Sequence, residues 1–243
     1  DYVDDDKIDL TAMQKDLSSY KGKTSTSSPS PHEWENAFGD ADVVFCITVT
    51  SSLSGTYNSA VIAKDIYEQN HAGRKVYVLD SLSTGPEIAL FIEKIAELIK
   101  AGFAPDDIYK TLLEYKDKTH LYFSLASLNN FAKNGRISPV IAAGIGLLGV
   151  RVVGKASDEG TLLPLDKCRG EKRALKKLID HLKECGYTDG KIIIAHNNNE
   201  AGALELKKLI ENTFGIFNGK IQKTRALCSY YAEPGSLLIG FEA

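Results

Sequence analysis

Cysteine is sparse and unpatterned in this 243-residue chain: Cys46, Cys168, Cys185 and Cys228 form no Cys-x-x-Cys pair, which argues against both a zinc site and a disulfide framework. Free thiols fit a reducing, cytosolic setting, and Cys46 and Cys228, inside apolar strand-like runs, read as buried. An excess of either charge is also missing. With 29 Lys and Arg against 32 Asp and Glu the formal charge is -3, and no stretch offers the basic face that nucleic-acid binding needs. Nor is any run apolar enough for a bilayer. The longest weakly polar stretch, residues 140–150, is about half a membrane span and stops at Arg151. The chain opens on Asp1 rather than Met, so the lack of a leader says little about compartment. What remains, 43% hydrophobic and 25% charged residues, is enough for a full core in one or two domains.

Hydrophobic period and turn chemistry lay out the elements. A short helix is predicted over residues 11–20 with Thr11 as cap, followed by a polar, proline-punctuated stretch at 21–31 that reads either as a flexible linker or as a hydroxyl-rich loop lining a site. Strand 43–49, a Ser/Gly turn and helix 57–70 make one strand-loop-helix unit; strand 76–79 and helix 87–101 make a second. After a helical stretch at 106–116, a third β-like run at 121–124 precedes a helix around 125–134. Three successive units of this kind predict a doubly wound parallel sheet. The second half differs: a hairpin of 150–156 and 161–167, helix 171–184, strand 191–195, helix 200–214, and strands at 221–228 and 236–241. The fold class is therefore α/β with two domains, an N-terminal parallel-sheet α/β/α domain at 1–139 and a C-terminal mixed-sheet α/β domain at 140–243.

In open α/β sheets ligands sit beyond the carboxyl ends of the strands, which directs attention to the loops after the first two strands. Residues 50–56 hold five hydroxyls in seven positions, and Ser81, Ser83 and Thr84 follow the next strand. Hydroxyls beside helix N-termini suit a carboxylate or phosphate oxygen, although Ser and Thr also serve there simply as caps. The tools of other chemistries are absent. There is no Gly-x-Ser-x-Gly elbow, no Gly-x-x-x-x-Gly-Lys-[Ser/Thr] loop and no Gly-x-Gly-x-x-Gly opening a helix. None of His32, His71, His120, His181 or His196 lies in the hydroxyl loops, and His196 reads as a solvated strand-end residue. Arg136, after the helix-ending Gly135, either solvates that end or contacts a phosphate or partner. The apolar, small-residue run at 140–149 is either core or the wall of a lipid tunnel.

Together these blocks resemble the DegV family of bacterial fatty-acid-binding proteins. The resemblance rests on Thr24-Ser25-Thr26-Ser27-Ser28-Pro29, Ser52-Leu53-Ser54-Gly55-Thr56-Tyr57-Asn58-Ser59-Ala60, Asp80-Ser81, Asn134-Gly135-Arg136-Ile137-Ser138, Lys167-Cys168-Arg169-Gly170 and Asn199-Glu200-Ala201-Gly202, in family order across nearly the whole chain. It implies a non-catalytic cytoplasmic protein without metal or cofactor that holds one palmitate-, stearate- or oleate-like acid. The acid's carboxylate would lie near the domain interface and its tail would be buried. By motif match Thr26 and Ser54 are the expected carboxylate ligands, with Ser27, Gly55, Thr56, Ser81 and Tyr231 in the supporting pocket. The implied partner is a fatty acid kinase making an acyl phosphate for phospholipid synthesis, and Arg136 matches an arginine implicated there.

Two features depart from the family pattern. Tyr231-Ala232-Glu233-Pro234-Gly235 stands where the family carries His-x-Gly-Pro-Gly, and the family's first strand with its Asp-Ser turn is expected before Asp1. A phenol donates a hydrogen bond but carries no positive charge, which keeps head-group binding and leaves kinase coupling open. The alternatives are an acyl or phosphoryl transferase using the serine loops and Arg136, or a regulatory protein in which lipid is structural.

Overall fold

The computed structural model describes residues 1–5, 7–138 and 149–243. In chain order these residues form α1 (Leu10–Ser19), α2 (Pro31–Phe38), β1 (Val43–Thr48), α3 (Thr56–Asn70), β2 (Lys75–Asp80), α4 (Gly85–Lys100), α5 (Pro105–Lys116), β3 (Thr119–Leu125) and α6 (Asn129–Lys133). They continue with β4 (Val150–Ala156), β5 (Leu162–Arg169), α7 (Glu171–Glu184), β6 (Ile192–His196), α8 (Glu200–Phe214), β7 (Gly219–Lys223), α9 (Ala226–Ala232) and β8 (Leu237–Glu242). Among the described residues no helix is long and apolar enough to cross a membrane.

Local chemistry sets several boundaries differently from the sequence reading. Asp9 rather than Thr11 caps α1, its carboxylate accepting from the amides of Thr11 at 3.0 Å and Ala12 at 2.9 Å. The stretch 21–31 does not run on as linker: Ser30 and Glu33 close a capping box around Pro31 and start α2. Strand β7 stops at Lys223, and the last three residues expected to extend it, Ala226 to Cys228, belong instead to helix α9.

Strands β1 and β2 pair in parallel, Val43 opposite Lys75 through Thr48 opposite Asp80, with α3 as the crossover. Helices α2 and α3 cover one face of this pair through Phe38, Ala60, Ala63 and Tyr67. The third β-like run does not continue the parallel series. β3 is antiparallel to β4 and to β8, inside a six-stranded sheet ordered β5-β4-β3-β8-β6-β7. Its side chains are buried on both faces, Leu121, Phe123 and Leu125 on one side and Tyr122 on the other. A strand buried on both sides has no alternation to betray its direction, and its partners come from the distant hairpin and the last strand. The structure is thus mixed α/β with two sheets. The boundary expected at residues 139 and 140 falls outside the described residues.

Helix α4 fills the space between the sheets. Leu90, Phe91, Ile95 and Leu98, at helical spacing, pack with Leu79 of β2, Ile193 of β6 and the buried face of α5. At its first turn Glu87 is 4% exposed, and its carboxylate accepts hydrogen bonds from the hydroxyls of Ser83 and, at 2.8 Å, Thr119. Burial pushes the Glu87 carboxyl above its ordinary value, against the smaller lowering by the two hydroxyls. The folded state therefore holds the Glu87 proton more tightly than the unfolded chain, and the stability this contributes is lost as pH rises through the raised pKa. Denaturant melts of Glu87→Gln and the parent protein across pH 4–8 should show the parent losing stability relative to the variant as pH rises; parallel pH profiles would contradict this.

Candidate functional site

The carboxyl ends of β1 and β2 carry the two hydroxyl-rich loops, and the structure divides their hydroxyls into two groups. One group is committed to backbone. Ser81, 2% exposed, donates to the Thr48 carbonyl at 2.7 Å and accepts from the Ser83 amide. Thr50 donates to the Gly160 carbonyl at 2.8 Å and Ser52 to the Glu159 carbonyl at 2.5 Å, which fastens the first loop to the β4–β5 turn. Ser81, placed in the supporting pocket by motif, is thereby turned into the end of β1.

The second group faces other side chains. Ser54 Oγ lies 2.7 Å from Thr56 Oγ1 and accepts from the Thr56 amide, just ahead of α3, whose cap residue is Gly55. Gly55 contributes no side-chain cap, so the first-turn amides of this 15-residue helix border the Ser54 and Thr56 hydroxyls. Thr26 Oγ1 lies 2.8 Å from the Tyr231 phenol, and two residues earlier Thr24 Oγ1 lies 2.8 Å from the Tyr230 phenol. The segment bearing Thr26 also meets the α3 start: Ser59 Oγ donates to the Pro29 carbonyl at 2.6 Å, and a Cβ at Gly55 would stand 3.5 Å from Ser28 Oγ. Thr26 and Ser54 thus sit on two segments that touch, both half-buried, while Ser27 is exposed. Arg136 reaches the same loop, its Nε donating to the carbonyl of Leu53 at 3.2 Å.

Helix α9 brings Tyr231 in from the larger sheet. Its ring packs 4.8 Å from Phe131 of α6, which itself packs on the cluster of Leu125, Leu128 and Ala232. The turn after α9 is tightly tied. Glu233, at φ +57°, accepts from Ser127 Oγ at 2.8 Å and from the Asn130 amide at 3.1 Å, while the Gly235 carbonyl accepts from Arg151 and Asn199, both at 2.8 Å. Arg151 is in turn held by Glu171 at 2.9 Å. His196 is not solvated: it is 4% exposed, its Nδ1 accepts from the Asn199 amide at 3.3 Å, and burial lowers its pKa, so it serves as a neutral structural residue. Tyr231 was expected in the supporting pocket, whereas Tyr230 and its bond to Thr24 have no counterpart in the sequence reading. The adjacent Tyr230 and Tyr231 just before Pro234 and Gly235 were the available signal.

Two surface cavities among the described residues are lined by none of these hydroxyls. One of about 390 Å³ is lined by Tyr115, Lys118, Asp189 and Glu242, and one of about 220 Å³ by Tyr57, Tyr77 and Tyr109. The run expected to be core or tunnel wall falls, apart from Gly149, outside the described residues.

A family model described as an uncharacterised protein of the DegV family matches residues 1–243. The chain belongs to the DegV family. A DegV domain-containing protein of Streptococcus pneumoniae serotype 4 is 41% identical over 241 residues, covering 99% of this chain and 86% of that protein. Among solved structures, a DegV family protein from Eubacterium eligens loaded with heptadecanoic acid has a TM-score of 0.97 at 40% identity, covering 100% of this chain and 88% of that one. The Streptococcus pneumoniae Fatty Acid Kinase (Fak) B3 protein loaded with linoleic acid also has a TM-score of 0.97, at 41% identity, with coverage of 99% and 86%.

The fastening of the first loop to the β4–β5 turn has a steric requirement. Gly160 has φ +75°, and a Cβ there would stand 2.1 Å from Thr50 Oγ1. Gly160→Ala should therefore cost about 1–3 kcal/mol of folding stability, read from thermal or denaturant unfolding. An unchanged midpoint would mean that the two loops are not locked as described.

Proposed function

We propose that this DegV family protein is a non-catalytic cytoplasmic carrier that binds one long-chain fatty acid and presents it to a fatty acid kinase. The observation that carries the reading is the contact between Thr26 and Tyr231, two hydroxyls 205 positions apart, on a segment that touches the start of α3, where the Ser54 and Thr56 hydroxyls pair. An acid's carboxylate there would accept from Thr26, Ser54 and Tyr231, and the amino end of α3 favours negative charge. These donors carry no charge, so they orient the head group without binding it as a fixed ion pair. The tail supplies the affinity: at ~0.8 kcal/mol per buried CH2, a tail of roughly fifteen carbons offers on the order of 12 kcal/mol before the costs of association.

Further support comes from the relatives at 40% and 41% identity that were solved with fatty acids. The carrier reading over an acyl transferase rests on the hydroxyls themselves. Thr50, Ser52, Ser54 and Ser81 bond to backbone carbonyls or to another hydroxyl, whereas a serine nucleophile needs a base beside it; Ser83, which does bond the Glu87 carboxylate, is 3% exposed and closed to a substrate. The cytoplasmic placement is supported by four free cysteines. Arg136, anchored to the Leu53 carbonyl next to Ser54, is the residue we assign to the kinase or to its phosphate.

Native mass spectrometry of the protein incubated with linoleic acid should show a single added acid. Thr26→Val combined with Ser54→Ala should weaken that binding roughly a hundredfold, since each removes a hydrogen bond to a charged group. A protein that stays empty, or a double variant that binds as well as the parent, would overturn the reading. Arg136→Ala should retain the acid yet lower acyl phosphate formation when ATP and a fatty acid kinase are added; equal turnover would remove Arg136 from the partner contact.

A further inference from the structure

Polar side chains tie Asp4, Gln14, Thr24 and Thr26 to α9 and to the loop after β6. The Asp4 carboxylate accepts from the amides of Ala226 at 3.2 Å and Leu227 at 2.9 Å. Gln14 bonds Asn197 at 2.7 Å and Asn198 at 2.6 Å, and Thr24 and Thr26 meet Tyr230 and Tyr231. Apolar anchoring is slight: Met13 is the one buried side chain of α1, and residues 21–23, 25 and 27–30 are exposed. The stretch between α1 and α2 is therefore tied at its two ends, by α1 and by the capping box at Ser30, and is held between them by the two threonine–tyrosine bonds and, next to the capping box, by the Ser59 hydroxyl on the Pro29 carbonyl. Residues 24 and 26, alternate positions of an extended segment, point the same way onto adjacent tyrosines of α9. A segment so lightly held opens at far lower cost than the molecule unfolds.

Tyr230 differs from its neighbour. It is 5% exposed and its phenol oxygen accepts from Asn134 Nδ2 at 2.8 Å, which leaves its own proton for Thr24. Asn134 also bonds the Asn130 carbonyl at 2.9 Å, and two residues further on Arg136 reaches the Leu53 carbonyl. One phenol thus joins the strap carrying Thr26 to the segment carrying Arg136.

We propose that residues 20–30 form a gate over the head-group site and that Tyr230 is its latch. When the Thr24 and Thr26 bonds break, the segment lifts, uncovers Tyr231 and lets an acid enter or leave; when they form, the acid is enclosed. The gating role rests on the fatty-acid reading above, whereas the latch itself is a property of the chain alone.

Two variants test it, neither touching Thr26, Ser54 or Tyr231. Tyr230→Phe keeps the ring that packs 5.0 Å from Tyr231 and deletes the hydroxyl; Thr24→Val removes the same bond from the half-buried side, where misfolding is not at issue. Limited proteolysis within residues 20–30, without lipid, should accelerate roughly tenfold in both variants, as expected when the Thr24–Tyr230 bond is lost and the segment opens more often. Transfer of pre-bound linoleic acid to phosphatidylcholine vesicles should accelerate by a similar factor. Unchanged cleavage within 20–30 would overturn the latch. Faster cleavage with unchanged lipid transfer would overturn the gate. A parent protein that binds no linoleic acid would sink the carrier reading, and with it the gate, while the cleavage rates would still decide whether Tyr230 latches the segment.

Discussion

The close contact of α4 with β8 governs the architecture. A Cβ at Gly240 would stand 2.4 Å from the backbone nitrogen of Glu87 and 2.5 Å from the carbonyl carbon of Pro86, so only glycine lets the helix come so near the strand. With α4 pressed down on the six-stranded sheet, its other face receives Leu79 and covers the β1–β2 pair. Ser83 and Thr119, from the end of β2 and from β3, then meet on the buried Glu87 carboxylate. The strand ends and loops of both sheets are thereby held in fixed relation, which is why a threonine early in the chain and a tyrosine near its end can share a hydrogen bond.

What the chain disclosed in advance follows the strength of its periodic signals. α7 and α8 run over the residues their amphipathic patterns indicate, the second bounded by the Asn199 cap and by Gly215 in the left-handed region. The β4–β5 hairpin is equally plain from its turn at residues 157–160. The direction of β3 was hidden because both its faces are buried, and α9 was hidden because seven residues rich in Tyr and Ala make too short a pattern to separate helix from strand. The capping box at Ser30 was visible but masked by the polar composition around it.

The same limit applies to the site. Counting hydroxyls singles out loops, yet composition cannot tell a hydroxyl with a free proton from one already bound to a carbonyl. Ser81 and Thr50 are spent on backbone, Ser54 and Thr56 on each other, and Thr26 on Tyr231. The last two bonds join hydroxyls, and hydroxyls exchange partners readily because each can both give and accept. Hydroxyls paired in this way are satisfied within the protein and avoid the desolvation cost of buried fixed charges.

The order of the larger sheet leaves β5 and β7 on its outer rims. The first carries Pro164, which has no amide hydrogen to offer a neighbour, with Lys167 and Arg169 exposed beyond it; the second carries exposed Lys220 and Lys223. Another chain approaching either rim would meet a missing donor or exposed cations, beside the exposed Leu163 and Leu165 on β5. The sheet most able to recruit strands from other copies is thus blunted on both flanks, a safeguard against fibrous stacking that asks nothing of the helices around it.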